Sequence, residues 1–362
     1  MAIHWIFCVV CGGPPNDPYD DIVTGRVAEA GATPEQLKAE YFEQWLGKVE
    51  LFGMQSALPV YDDSDDDDTQ TELATAKRNV DATPEFFPDV WVGCGYNIAF
   101  HPPGYGIVPV LEPDGNGHSF FPMHSACATI VQTVCASDTT TMSLQYYYHI
   151  LRKACLRFPG EGGILWPHKH FGAMQYWAYD DWNYTYGYLK FVTDPLRSED
   201  AENLILTSLK PAEAKTSRPR NPELEHNCSA IGNLPKEIID EVAAFLPIDA
   251  IFSLRLTSPT LAHQVSLDQR FFRERLLSGE LLPHIWGLDW VSCQKLIPNI
   301  KKRTMDSSED NYWDWKRVAR LLADVPRLMA HSPEREEIPL GLWNRCRIWQ
   351  SVVDAEKWLN NG

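Results

Sequence analysis

The chain of 362 residues is 44% hydrophobic and 22% charged, enough apolar content for two or three globular domains with real cores. Its formal net charge is −17, and residues 1–196 carry most of it, with 25 acidic residues against 10 basic ones. Such a field repels a phosphate backbone, so nucleic acid is not expected as a partner.

The opening run Met1-Ala2-Ile3-His4-Trp5-Ile6-Phe7 has no basic leader and its apolar stretch is interrupted, so no secretory signal is expected. No segment approaches the ~20 apolar residues that span a bilayer, so no membrane partner is expected either. Nine cysteines are spread along the chain. An odd number without a secretory context predicts free or metal-bound thiols in a reducing compartment, the cytoplasm or nucleus.

Cys8-Val9-Val10-Cys11-Gly12-Gly13 is the first chemical motif. Two thiols three positions apart can grip one ion from a tight turn, and a glycine after the second permits the left-handed backbone that aims N–H groups at sulfur. The pair supplies half of a tetrahedral site. His124-Ser125-Ala126-Cys127 has the spacing for the other half, because positions 124 and 127 project together if a helix begins near Ser125. Cys8, Cys11, His124 and Cys127 are therefore the candidate ligands of a structural zinc, with Cys94 and His118 in reserve. Two other readings stand beside it. The first pair sits among Ile6, Phe7, Val9 and Val10 and would also suit a buried apolar strand, or a redox dithiol. A knuckle joined to a helix N-terminus resembles the treble-clef arrangement, here with an insertion of more than a hundred residues between the halves.

Thr33-Pro34-Glu35-Gln36 reads as a capping box that opens a helix running to about Leu51, with Trp45, Val49 and Phe52 on its apolar face. Residues 62–68 read Asp-Asp-Ser-Asp-Asp-Asp-Asp, the centre of an acidic flexible loop over 62–80. The run lacks the central glycine and trailing glutamate of a calcium loop, and Ser64 within it is a possible phosphosite. Strands are expected over 90–100 and 106–111, with a tight turn at Asp114-Gly115. Residues 141–157 predict a helix carrying Leu144, Tyr147, Tyr148 and Leu151 on one face.

The stretch from Trp166 to Tyr188 is rich in aromatic residues and reads either as cover for a core or as a recognition surface. His168 and His170 have no nucleophile or carboxylate pair fixed beside them, and a surface or packing role is expected. There is no nucleophile elbow, phosphate loop or dinucleotide fingerprint, so no catalytic residue is assigned. Residues 197–230 are polar and Pro-containing, and read as a linker.

Residues 233–265 then change character. Leu234, Ile238, Val242 and Phe245 recur at helical spacing, with Ile239 and Leu246 beside them. Pro235 suits a first turn, Asp249 suits the cap of a second helix with Ile251, Leu254 and Leu256, and Ser258-Pro259 restarts a third. The Leu234-Pro235-Lys236-Glu237-Ile238-Ile239 opening, the Leu246-Pro247 step and the Leu254-Arg255-Leu256-Thr257-Ser258 end resemble, in order, an F-box. The resemblance implies a module at 231–275 that docks on a Skp-type adaptor and through it a cullin. It also implies that Leu234, Pro235, Ile238, Ile239, Leu246, Pro247 and Leu254 carry that contact. Residues 276–362 complete a C-terminal helical region, with helices expected at 313–322 and from Leu342.

The layout as a whole is similar to a fungal group of F-box proteins that begin with a Cys-x-x-Cys-Gly-Gly module. Members carry a Pro-x-His-Ser-x-Cys step, here 122–127, and a Trp- and Gly-rich segment before the F-box. The expected class is α+β. A mixed, zinc-stabilised block over 1–196 with a treble-clef-like element precedes an all-α F-box and C-terminal helices. The expected function is non-catalytic recruitment of an unknown protein client to a Skp–cullin–F-box ubiquitin ligase. The alternative is an enzyme or small-molecule binder of a specialised pathway that retains a vestigial F-box, for which a pocket lined by Trp166, Trp177, Trp182 and His170 would speak.

Because the acidic run has no apolar residue to anchor it, deleting residues 62–68 is expected to leave the melting temperature nearly unchanged. A large loss in a thermal melt would show that the run pairs with a basic surface.

Overall fold

The computed structural model of the chain describes residues 8–13, 45, 47–54, 83–93, 99–105, 107–108, 110–111, 118–137, 140–157, 193–212, 231, 234–287, 313–324, 328 and 338–361. The acidic run, Cys94, the Asp114-Gly115 turn, His168, His170, the aromatic stretch 166–188 and residues 213–230 lie outside them. The fold is mixed α and β with a small antiparallel sheet, and it divides into two compact units. One holds residues 1–197 together with 331–362, and the other holds 198–330.

The sheet of the first unit comprises β1 (Val49–Gly53), β2 (Glu85–Gly93), β3 (Ala99–His101) and β4 (Phe121–His124), in the order β3-β2-β1-β4. The helix expected from Thr33-Pro34-Glu35-Gln36 to Leu51 opens outside the described residues, and it does not cover its expected end. The Lys48 N–H donates to the Trp45 carbonyl in a turn, and Val49-Glu50-Leu51-Phe52 runs as a central strand. Both of its edges are paired, to β2 at Val49↔Val90 and Phe52↔Phe86 and to β4 at Val49↔His124 and Phe52↔Phe121. Two ladders of hydrogen bonds outweigh the weak preference of a single apolar face for a helix. The register of β2 slips between Val90 and Phe87, where Pro88 and Asp89 form a bulge. Pro88 cannot donate to a ladder, and Asp89 takes a left-handed φ of 55°, which a short polar side chain tolerates. The strand expected over 90–100 is instead a two-strand pairing, with Trp91 opposite His101 and Gly93 opposite Ala99.

Strand β1 is buried on both faces, so alternate residues serve different cores. Val49 and Leu51 join Phe87, Val90, Phe100, Val108, Val110 and Phe120 on one side. Phe52 stands on the other, edge-on to Tyr148 at 5.7 Å between ring centres, and Phe121 meets the same ring at 5.6 Å. Two helices cover this side, α1 (Ser125–Ala136) and α2 (Leu144–Arg157). The second starts three residues later than its sequence pattern suggests, because the Ser143 hydroxyl accepts from the Tyr146 N–H and caps it there. The Tyr148 hydroxyl donates to the Ser119 carbonyl at 3.1 Å, so its polar end is satisfied within the core.

The second unit begins with α3 (Ser198–Ser208), where a linker was expected. Ala201, Leu204, Ile205 and Leu209 are buried at helical spacing, an apolar face that polar composition masks. Then follow α4 (Lys236–Phe245), α5 (Ile248–Thr257), α6 (Pro259–Gln264), α7 (Gln269–Leu277) and α8 (Trp315–Ala323). Asp249 lies in the first turn of α5 rather than at its cap, since the helix starts directly after Pro247. Ser258, Asp268 and Asp314 do cap α6, α7 and α8, each side chain accepting a backbone N–H three residues on. Ile239, Ile251, Leu261 and Val265 form the interior of α4 to α6, flanked by Ala243, Leu246, Leu254, Leu267 and Phe271.

Helices α9 (Leu340–Val353) and α10 (Ala355–Asn361) belong to the first unit, although sequence order groups them with the C-terminal region. Helix α9 packs on α1 and is buried on nearly every side. Among the described residues no helix is long and apolar enough to cross a membrane.

The end of β1 offers a sharp packing test. A Cβ built on Gly53 would overlap the ring of Phe120. Gly53→Ala is expected to lower unfolding stability by about 1–3 kcal/mol, measured by chemical denaturation.

Candidate metal centre

The knuckle at 8–13 is shaped by its own backbone. The Gly12 N–H donates to the Cys8 carbonyl at 2.9 Å and the Cys8 N–H to the Gly13 carbonyl at 2.8 Å. Closing that loop requires φ of 75° at Gly12, which a Cβ would oppose. The Gly13 N–H then points at the Cys11 sulfur, 3.3 Å away, and supports negative charge on it. The Val9 N–H donates to the Pro122 carbonyl at 3.0 Å, which ties the knuckle to β4.

Strand β4 delivers the other half. Pairing of Val49 with His124 and donation from the Ser125 N–H to the Lys48 carbonyl at 2.8 Å fix where the strand stops. His124 keeps an extended backbone at φ −66° and ψ 145° as α1 begins, so Cys127 rises in the first turn on the same side. The helix N-terminus adds positive potential beside the thiols.

The ligand atoms of Cys8, Cys11, His124 and Cys127 all lie within 4.8 Å of one another, and all four residues are buried. His124 Nδ1 is 3.3 Å from the Cys11 sulfur and 3.9 Å from that of Cys127. A tetrahedron with metal–sulfur bonds of ~2.3 Å has sulfur–sulfur edges of about 3.8 Å, so no donor pair needs to close by more than about 1 Å. Three soft sulfurs and one imidazole could hold a metal ion with no position left for substrate. Trp45 stands edge-on to His124 with ring centres 5.0 Å apart.

Electrostatics in this dry pocket are severe. Burial pushes the Cys8 thiol up, but hydrogen bonds from Cys11 and Cys127 and the charge of His124 more than offset it, leaving Cys8 well below its ordinary value. Burial opposes charge on His124, yet Cys11 and Cys8 hold it protonated well above the usual range. At Cys127, burial and the neighbouring sulfurs act together and push the thiol well up. Cys8 and His124 thus favour opposite charges in the metal-free pocket, and an ion would displace the imidazole proton to use Nδ1 as a ligand.

One participant had no motif to announce it. Arg347 on α9 is buried at 2% exposure and donates from Nη1 to the Cys11 carbonyl at 3.0 Å. Its Nε and Nη2 both donate to Asn344 Oδ1, at 3.1 and 2.8 Å. Burial works against its charge, while the sulfurs of Cys11, Cys127 and Cys8 favour it. The available signal was Asn344, Arg345 and Arg347 lying within a helix rich in Leu, Trp, Ile and Val.

Of the reserve ligands, His118 is half-buried and outside the cluster. The residues proposed for partner contact all lie in the second unit. Leu234, Pro235, Ile238 and Pro247 are exposed, Leu246 and Leu254 are half-buried against the small helical core, and Ile239 is inside it. The chain matches no protein-family model, no curated protein and no solved structure.

Removing one thiolate should break the centre. Cys11→Ser is expected to abolish metal binding, read by elemental analysis of purified protein, and to destabilise the first unit by several kcal/mol in a thermal melt. Metal binding to thiolates and neutral imidazole displaces protons, so affinity should fall as pH falls, and a chelator titration at several pH values checks that sign.

Proposed function

We propose that the chain is a substrate-recruiting adaptor of a Skp–cullin–F-box ubiquitin ligase, with no bond-making chemistry of its own. The observation that carries this reading is the sidedness of residues 234–256. Ile239 and Ile251 point into the helical core, whereas Leu234, Ile238, Val242, Phe245, Phe252 and Leu256 stay exposed, Phe245 and Leu256 at 81% and 87%. Spacings of four and three place Ile238, Val242 and Phe245 along one face of α4, and Leu234 lies just before its start. A folded helical unit that leaves six large apolar side chains in water calls for a cover. The F-box resemblance of the same residues names that cover as a Skp-type adaptor, and through it a cullin. Ile239 then supports the surface from within rather than forming it.

The first unit would select the client, and zinc would hold it in shape. Three cysteines and one histidine in a closed, buried set suit zinc among the common ions, and the short span between donors suits one ion rather than an iron–sulfur cluster. A knuckle, an adjoining strand and a helix N-terminus contribute the ligands, which supports a treble-clef-like element. A reducing compartment, cytoplasm or nucleus, would keep these thiols available. Recruitment accelerates transfer by raising the local concentration of client lysines near the charged conjugating enzyme.

The deciding experiment is co-purification with the Skp-type adaptor. Burying one aliphatic side chain is worth roughly 1.5–3 kcal/mol, so each truncation should weaken binding by about tenfold or more. The double variant Leu234→Ala with Pro235→Ala should lose the adaptor while keeping the metal content of the first unit. Failure of the wild-type chain to bind at micromolar concentration would sink the proposal.

A further inference from the structure

We infer that Arg347 is the built-in counter-charge of the metal centre, so that metal loading and docking of helix α9 are one event. This rests on the reading of Cys8, Cys11, His124 and Cys127 as a metal site. A divalent ion held by three thiolates and a neutral imidazole leaves one net negative charge, buried where water cannot screen it. Arg347 brings one positive charge to the same place, itself buried and hydrogen-bonded to the backbone of ligand Cys11. Sequence separates that donor from its acceptor by 336 positions, so nothing local obliges the contact.

The arginine is not a loose side chain that happens to reach the knuckle. Asn344 holds two of its nitrogens and donates from Nδ2 to the Thr193 carbonyl at 2.8 Å. Arg345 donates from Nε to the Pro195 carbonyl at 2.6 Å. Helix α9 is thereby bonded both to the knuckle and to residues 193–195, all within the first unit. The loaded centre carries net negative charge, and that charge makes burial of Arg347 beside Cys11 favourable. Loss of the ion takes away the charged group that the buried arginine faces, which favours release of α9.

The test uses the full chain and zinc. Zinc bound per chain is counted first. A wild-type chain that binds none overturns the metal reading and this inference together. Backbone hydrogen exchange over 340–353 is then followed before and after chelation, with 236–277 of the other unit as internal reference. The expected result is exchange faster by about tenfold or more over 340–353 on chelation, with the reference unchanged. Arg347→Met should weaken zinc by about 10- to 100-fold in chelator competition. It should also move the thiolate-to-metal absorption of cobalt-loaded protein to longer wavelength, because a nearby positive charge stabilises the thiolate electrons. Arg347→Lys, which keeps the charge, should restore most of both. Bound zinc with unchanged exchange on chelation overturns the inference and leaves the metal site standing, as does an Arg347→Met protein with wild-type affinity and spectrum. If Arg347→Met does not fold, the wild-type exchange and the lysine variant decide the matter by the same criteria.

Discussion

Three sulfurs and an imidazole are brought together in a dry pocket, and the first unit is organised by what that requires. Cys8, Cys11, His124 and Cys127 come from a knuckle near one end of the chain and from the junction of β4 with α1, more than a hundred residues on. The geometry that joins them is mostly backbone. Val9 pairs with Pro122, Val49 pairs with His124, and Ser125 pairs with Lys48. Hydrogen bonds of that kind set where a side chain starts, but they do not make four polar groups comfortable without water. A cation in their midst would, and the positive ends of the α1 peptide dipoles and of Arg347 act in the same direction.

Helix α9 shows how far that requirement reaches. Ten of its residues are buried, Asn344, Arg345 and Arg347 among them. A helix with such content is unfavourable in any apolar slot and suits one that supplies carbonyls and negative charge. Thr193, Pro195 and Cys11 supply the carbonyls, and the cysteine cluster supplies the charge. The small sheet therefore positions a charged pocket, and the last long helix closes over it.

The second unit follows the opposite rule. Its polar groups are handled by hydrogen bonds, locally at caps such as Ser258 and Asp268 and at long range by the Gln269 amide bridging Asp314 and Lys316. Its core of Ile239, Ile251, Leu261 and Val265 is small, and much of the apolar surface of α4 and α5 remains outside it. Stability from burial is roughly proportional to area, so such a unit gains by being covered. The proposed adaptor-binding role would use that surplus, and the exposed pair Lys236 with Asp240 shows that α4 also carries charge to water.

What the sequence determined by itself is whatever lies within a few residues. Cys-x-x-Cys-Gly dictates a turn that converges two sulfurs, and His-x-x-Cys at a helix start converges the other two. Ser258-Pro259, Asp268 and Asp314 dictate where helices begin, because each cap satisfies donors three residues away. Pairing the two halves of the site was legible as a matter of spacing and chemistry, since no other Cys or His pair in the sequence stands three positions apart. Tertiary structure decided the rest. Val49–Gly53 became a strand because β2 and β4 offered hydrogen bonds to both edges, a gain that no local pattern encodes. Residues 198–208 became a helix because Ala201, Leu204 and Ile205 found a core. Arg347 joined the Cys/His cluster because the fold brings α9 back to the knuckle, and a contact across 336 positions leaves no period or spacing to read.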